Sequence, residues 1–277
     1  MLDNTYTLLD SGNFLKLEQV GPYRIVRPCP QAVWKPLLSK DEWRRYDDKF
    51  IRKSSGNGFW ERERLPAEWQ IEYSGLKLHL KPTNFGHIGF FAEHTGNWGW
   101  LREKCNERPG LKTLNMFAYT GGMSLAMAQA GAQTTHLDAA KGIIDWAKIN
   151  AGYNDLNIRW MCDDVIKFLQ REVRRGNKYD GIVLDPPSFG RGPNREVWKI
   201  EEQINELLEL TKEVLSDKPS FILFTCHTPQ FTPKVLENFF HTYWKTGIEI
   251  ESFEMTVDEY QSPRVVPSGV GARVTFK

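Results

Sequence analysis

The order of apolar and polar positions divides the chain in two. Up to about residue 95, short stretches such as "NFLKLEQVGPYRIVRP" and "WQIEYSGLKLHLKP" alternate apolar and polar residues and are punctuated by Gly and Pro. A period of two broken by turn formers predicts half-buried strands joined by tight turns. "SSGNGFWERERLP" between them reads as a loop. Residues 1–95 are therefore expected to form a small β-rich domain. "HIGFFAEHTGNWGWLREKC" then leads into a short helix ending near Cys105, with His94 and Trp98 either lining a site or packed in a core.

From Lys112 the pattern changes. The apolar runs "KTLNMF", "QTTHLD", "IRWMC", "YDGIVLD" and "SFILFTC" predict strands. Between them, "GMSLAMAQAG", "AAKGIIDWAKINAGYN", "DVIKFLQREVRRG" and "REVWKIEEQINELLELTKEVL" predict helices. Strand alternating with helix implies βαβ units, hence an α/β domain over residues 96–277 with a parallel sheet covered on both faces. Such sheets bind ligands beyond the carboxyl ends of their strands, near the point where strand order reverses.

Composition narrows the class of protein. The 277 residues are 40% apolar and 26% charged, as in ordinary globular proteins. No run approaches the ~20 apolar residues of a membrane span. "MLDNTYTLLDSG" has neither the basic start nor the apolar stretch of a secretory signal, so a cytoplasmic location is expected. The four cysteines are scattered without a CxxC, which points away from a zinc site or a disulfide framework. A net charge of +1 excludes a global basic field but not a local patch. "EWRRYDDKFIRK" and "FWERERLP" place basic residues among Trp43, Tyr46, Phe50, Phe59 and Trp60, a mixture that suits base stacking or a solvated loop.

The strand ends carry the candidate chemistry. "NMFAYTGGMSLAMA" puts Gly121 and Gly122 at a turn into a helix, where backbone can approach a ligand. "THLDAAK" offers Asp138 as an acceptor for ribose hydroxyls or as a helix N-cap. "CDDVIKF" offers Asp163 or Asp164 to an adenine amino group, or again as an N-cap. Together they describe a pocket for a nucleoside without phosphates. GxGxxG is missing, which argues against a nicotinamide dehydrogenase of the same fold. The fourth strand ends on Asp185-Pro186-Pro187. Proline fixes φ and removes an N–H, so this corner is expected to hold its carbonyls and the Asp185 carboxylate rigidly toward a planar, hydrogen-bonding substrate. Arg191 and Arg195 follow, placed to meet an acceptor's phosphate.

These motifs, "NMFAYTGGMSLAMAQAGA", "THLDAAKGIIDWAKINA", "CDDVIKFLQRE" and "YDGIVLDPPSFGRG", resemble the class I S-adenosylmethionine-dependent methyltransferases. More closely they resemble the bacterial 23S rRNA cytosine-C5 methyltransferase family and its relatives, over residues from about 85 to 277. The resemblance implies a Rossmann-like seven-stranded methyltransferase sheet and S-adenosyl-L-methionine as cofactor. By position it implies that Phe117, Tyr119, Thr120 and Gly121 hold the methionine part, Asp138 the ribose and Asp164 the adenine. Asp185 and Pro186 would stand at the methyl-transfer point, with Pro187, Phe189 and Arg191 facing the substrate. It also singles out Cys226 in "LFTCHTP" as a nucleophile. A thiolate added to cytosine C6 would make C5 enamine-like, with Asp185 stabilising the ring near N3. His227 is next to Cys226, but adjacent strand residues point to opposite faces, which argues against their direct pairing.

The chain departs from that family in three places. No PUA-like module is recognisable at its N-terminus, "SFGRGPNREVWK" is unusual after the proline pair, and "CHTP" replaces the more common Cys-Ser ending. The expected substrate is a base in RNA, with rRNA foremost, acting without metal or membrane and as a monomer or homodimer. Two alternatives stay open. One is a nitrogen or small-molecule acceptor with Cys226 structural; the other is a non-catalytic nucleoside-cofactor or RNA-binding module.

Overall fold

The computed structural model describes residues 5–53, 56–194 and 196–277, so Arg195 lies outside the described residues. The chain divides into two compact units. The first takes the residues up to Glu93 together with Thr256–Ser268; the second takes His94–Met255 and Gly269–Lys277. A single cut at residue 95 does not anticipate the return of Thr256–Ser268 to the first unit.

The first unit contains β1 (Tyr6–Gly12), β2 (Leu15–Val20), β3 (Tyr23–Pro28), α1 (Lys40–Arg44), β4 (Asp48–Arg52), β5 (Gly58–Trp60), β6 (Trp69–Tyr73) and β7 (Leu76–Leu80). Strands β1 to β5 form one sheet in chain order, and β6 and β7 form a separate hairpin. Ser74 and Gly75 turn that hairpin with φ of +50° and +74°, as a two-residue primed turn requires. The expected β-rich character is present, but the stretch read as a loop contains β5. Its Trp60 is buried and pairs with Phe50, ring centroids 5.5 Å apart. A cross-strand aromatic pair stabilises the hairpin despite the surrounding charges.

Thr256–Ser268 joins this unit through buried ion pairs. Arg264 reaches Asp10 Oδ1 at 2.5 Å and Glu259 Oε2 at 2.7 Å, and Tyr260 N donates to Leu8 O.

The second unit contains α2 (Thr95–Glu107), β8 (Lys112–Met116), α3 (Gly122–Gln129), β9 (Gln133–Asp138), α4 (Lys141–Tyr153), β10 (Arg159–Cys162), α5 (Val165–Arg175), β11 (Gly181–Leu184), β12 (Phe189–Arg191), β13 (Val197–Lys199), α6 (Ile200–Val214), β14 (Phe221–Cys226) and α7 (Pro233–Tyr243), then β15 (Ile248–Asp258) and β16 (Val265–Phe276), whose segment Thr256–Ser268 belongs to the first unit. The seven-stranded sheet runs β10-β9-β8-β11-β14-β16-β15. β8 pairs in parallel with both β9 and β11, so strand order reverses there; β16 runs antiparallel to β14. All five predicted strands are present. β11 and β14 are buried along their whole length, which explains why they read as unbroken apolar runs.

One predicted helix starts late. Val197–Lys199 is strand β13, paired with β12, and α6 begins at Ile200. Val197 and Trp198 favour extended backbone, and the buried Trp198 is anchored by the preceding turn.

Candidate functional site at the strand ends

The loop after β8 is built on unusual backbone. Phe117 and Tyr119 have φ of +56° and +49°, and Gly121 has +96°. Left-handed backbone at non-glycine residues stores strain and tends to occur at functional sites. At Gly122 an added Cβ would lie 2.6 Å from the Trp98 ring, so only glycine fits. Trp98 is thereby a core residue under the turn, buried to 2% exposure.

A buried polar network supports the loop from below. Asn115 Nδ2 donates to Ser124 Oγ at 2.8 Å, Ser124 Oγ lies 3.0 Å from His136 Nδ1, and Asn150 Nδ2 donates to the Thr120 carbonyl at 2.9 Å. Burial pushes the His136 imidazole down to about 3, so the ring is neutral.

Asp138 ends β9 facing this loop. Its carboxylate accepts from Tyr119 N at 3.0 Å and from Ala140 N at 2.9 Å. Ala140, not Asp138, is the N-cap of α4, so the capping alternative is not the one adopted. A carboxylate has about four acceptor positions. The two hydrogen bonds leave capacity for a pair of vicinal hydroxyls, and this acceptor chemistry fits the ribose of S-adenosylmethionine. Burial raises the Asp138 carboxyl from its usual value.

Asp164 does cap a helix, accepting from Lys167 N at 3.0 Å at the start of α5. Asp163 is ion-paired with Arg171 through Oδ2 and accepts from Asp164 N through Oδ1, whereas the cap engages Asp164 through Oδ1.

Asp185 follows β11 directly, across the reversal point from Phe117. Thr225 Oγ1 donates to its Oδ1 at 2.7 Å. His94 Nε2 stands 3.4 Å from Oδ2, and His227 Nδ1 stands 3.8 Å from Oδ1. The two imidazoles meet edge to face, with centroids 5.6 Å apart. Burial alone would raise the Asp185 carboxyl. The His94 and His227 rings and the Thr225 hydroxyl overcome that and hold it well below the usual carboxylate range.

Pro186 is buried behind this carboxylate, whereas Pro187, Phe189 and Arg191 are exposed. The Arg191 guanidinium lies 5.9 Å from the Phe189 ring centre. One expected acceptor is already engaged: Trp198 Nε1 donates to the Pro187 carbonyl at 2.6 Å and its ring packs on Phe117. Sequence reasoning missed Trp198 by assigning it to a helix. It left His94 undecided and did not connect His227 with Asp185.

Cys226 ends β14 as expected, but its sulfur is fully buried among core residues and accepts from Thr228 N at 3.4 Å. Burial pushes the thiol up, and the charge of Asp185 adds to the shift. The candidate nucleophile and the Asp185 corner therefore face different surroundings. A separate depression of about 480 Å³ lies at the amino ends of β8, β9 and β10, lined by residues including Lys112, Arg159 and Lys178, at the other end of the sheet.

Comparison with known proteins settles what this arrangement belongs to. The profile of the S-adenosylmethionine-dependent methyltransferases matches residues 45–237. The chain belongs to that family. A methyltransferase from Agrobacterium tumefaciens, described as S-adenosylmethionine-dependent, has a crystal structure that superimposes with a TM-score of 0.93 at 37% identity, covering 98% of this chain and 90% of that one. Among curated proteins, ribosomal RNA large subunit methyltransferase K/L of Pseudomonas savastanoi pv. phaseolicola is 30% identical over 179 residues, covering 62% of this chain and 22% of that protein. Ribosomal RNA large subunit methyltransferase I of Aliivibrio fischeri is 29% identical over 157 residues, covering 53% and 39%. The chain thus spans well under half the length of these two curated relatives. This methyltransferase uses S-adenosylmethionine as cofactor, and its seven-stranded sheet is the expected one. Among the described residues, no helix is long and apolar enough to cross a membrane.

Proposed function

We propose that this methyltransferase transfers a methyl group from S-adenosylmethionine to a base in ribosomal RNA. The observation that carries this reading is the Asp185 corner. An ionised carboxylate is fixed at the reversal point of the sheet, and the exposed Phe189 and Arg191 stand on the adjoining hairpin. Phe189 offers a ring on which a splayed-out base can stack, and Arg191 a charge for its phosphate. The names of the two curated relatives support the same substrate class. Bound cofactor supplies an already activated methyl group. The chain's part is to orient the acceptor and handle its proton. Tyr119, Gly121, Asp138 and Asp164 would hold the methionine and nucleoside parts, and a location in the cytoplasm follows from that substrate.

The test is transfer of a labelled methyl group to an unmodified large-subunit rRNA transcript, followed by digestion to nucleosides and mass spectrometry. A methylated nucleoside in stoichiometric yield is expected. Incorporation only into small metabolites would refute the RNA reading.

A further inference from the structure

We infer that His227, set against Asp185, is a catalytic base that takes the proton from a nitrogen of the acceptor, so that this enzyme methylates an N–H and not a carbon. The inference rests on the methyl-transfer reading above and names its acceptor class.

The placement of His227 follows from strand alternation. Cys226 turns its sulfur into the core, and the next side chain turns the other way, toward the Asp185 corner. There the His227 side chain is 40% exposed, whereas His94, on the other carboxylate oxygen, is 5% exposed. One imidazole is sealed in and the other faces solvent. Asp185 at the end of β11 and His94 before α2 face the His227 ring, and β16 contributes Gly269 at the same point. A Cβ on Gly269 would lie 2.8 Å from the Cys226 carbonyl and 3.0 Å from His227 Cδ2. Glycine at a φ of +110° makes room for the ring.

The neighbouring groups are poorer candidates for the same task. A carboxylate held as low as that of Asp185 binds protons weakly, so Asp185 serves better to orient and stabilise an imidazolium. A route to C5 needs a thiolate on the ring, but the Cys226 sulfur is buried and its thiol is raised.

The step balances as follows. The acceptor nitrogen's lone pair forms the N–CH3 bond as the S–CH3 bond breaks, and that bonding pair stays on sulfur. The nitrogen keeps the electrons of its N–H bond while the proton passes to the imidazole. The resulting imidazolium, held against Asp185, then releases the proton to solvent.

Three variants test this, one of them by titration. His227→Gln is expected to keep cofactor affinity by calorimetry, lower kcat on rRNA about 100-fold or more, and flatten the acid limb of the rate profile, because only neutral His227 accepts a proton. Cys226→Ala is expected to stay within a few-fold of wild type, with the methyl group on a nitrogen of the digested nucleoside. Without any RNA, the His227 ring titrated by NMR is expected to have a lower midpoint in Asp185→Asn than in wild type, because the carboxylate favours the imidazolium. Any of four results would overturn the proposal: a fully active His227→Gln, a Cys226→Ala that binds cofactor but transfers nothing, a methyl group on C5, or stoichiometric zinc binding lost in His227→Gln. A His227 midpoint that falls in Asp185→Asn, with no RNA methylated by the wild type, would instead overturn the RNA reading and leave the His227–Asp185 pair standing.

Discussion

The two units of this methyltransferase treat their carboxylates differently. In the first unit Glu18 and Asp10 are matched with guanidinium groups, whereas the buried Asp48 accepts from the backbone amides of Lys49, Arg62 and Arg64. Glu18, fully buried, takes a two-pronged contact from Arg27 at 2.6 and 2.7 Å and a hydrogen bond from Tyr6. Asp10 takes Arg264, Trp43 Nε1 and three backbone amides. At the strand ends of the second unit, Asp138 and Asp185 have no lysine or arginine partner among the described residues. They are held by backbone amides, a threonine hydroxyl and imidazoles. A carboxylate neutralised by arginine is committed to shape. One oriented by neutral or titrating donors keeps a charge that a ligand can use.

That contrast can be broken or sharpened by substitution. The largest effect is expected from Glu18→Ala, which leaves Arg27 buried without its counter-charge. Denaturant unfolding should report a loss of about 3–5 kcal/mol, with cofactor affinity unchanged once folded. Next comes Asp185→Asn, which keeps the Thr225 contact but removes the charge. Methyl transfer should fall about 100-fold or more, and the melting temperature should fall with it, because a carboxyl held below its usual value stabilises the fold through its charge. A large loss of stability there, with activity retained, would show that Asp185 is structural after all. Asp138→Ala should weaken cofactor binding by about 1.5–3 kcal/mol in calorimetry, the range for hydrogen bonds to a charged group.

Acid should separate the units more gently. The His136 ring is held at about 3 in the folded state, against an ordinary value of 6.5. The unfolded chain therefore binds the extra proton first, and stability is full above about 6.5 and is lost as pH falls toward 3. For Glu18, burial pushes the carboxyl up, but the Arg27 and Lys16 charges outweigh it and hold the group at about 2, against 4.5. Its contribution is intact above 4.5 and is lost only as pH falls toward 2. His87 in the first unit is also lowered, but that residue is exposed, so screening reduces its share. Hydrogen exchange at pH 5 against pH 7 should thus show protection falling first around β8, β9 and α3. Equal loss in β1 to β3 would remove the contrast.

Much of the second unit was legible because its signals are local. β11 and β14 read as strands from apolar runs, and the Asp185-Pro186-Pro187 stop marked the corner where His94 and His227 meet a carboxylate. The Asp164 cap and the Gly121 turn are likewise properties of a few consecutive residues. The errors came from non-local partners. Trp198 looked helical because nothing in "REVWK" announces a bond to the Pro187 carbonyl. The resemblance singled out Cys226, and nothing in "LFTCHTP" announces the core that closes over its sulfur. Thr256–Ser268 could not be assigned to the first unit before Arg264 was seen to meet Asp10, across 254 positions of chain.

By itself, then, the sequence determined where backbone must be extended, helical or rigid, and which acidic residues end the parallel strands. These follow from periodicity, proline and glycine geometry, and strand alternation, all of which act over a few residues. Only the tertiary structure decided which carboxylates are neutralised by arginine, that Cys226 is sealed while His227 faces outward, and that His94 and His227 converge on Asp185 from residues 94, 227 and 185. Burial and charge depend on what distant segments bring to the same few ångströms, and the protonation of each group depends on burial and charge.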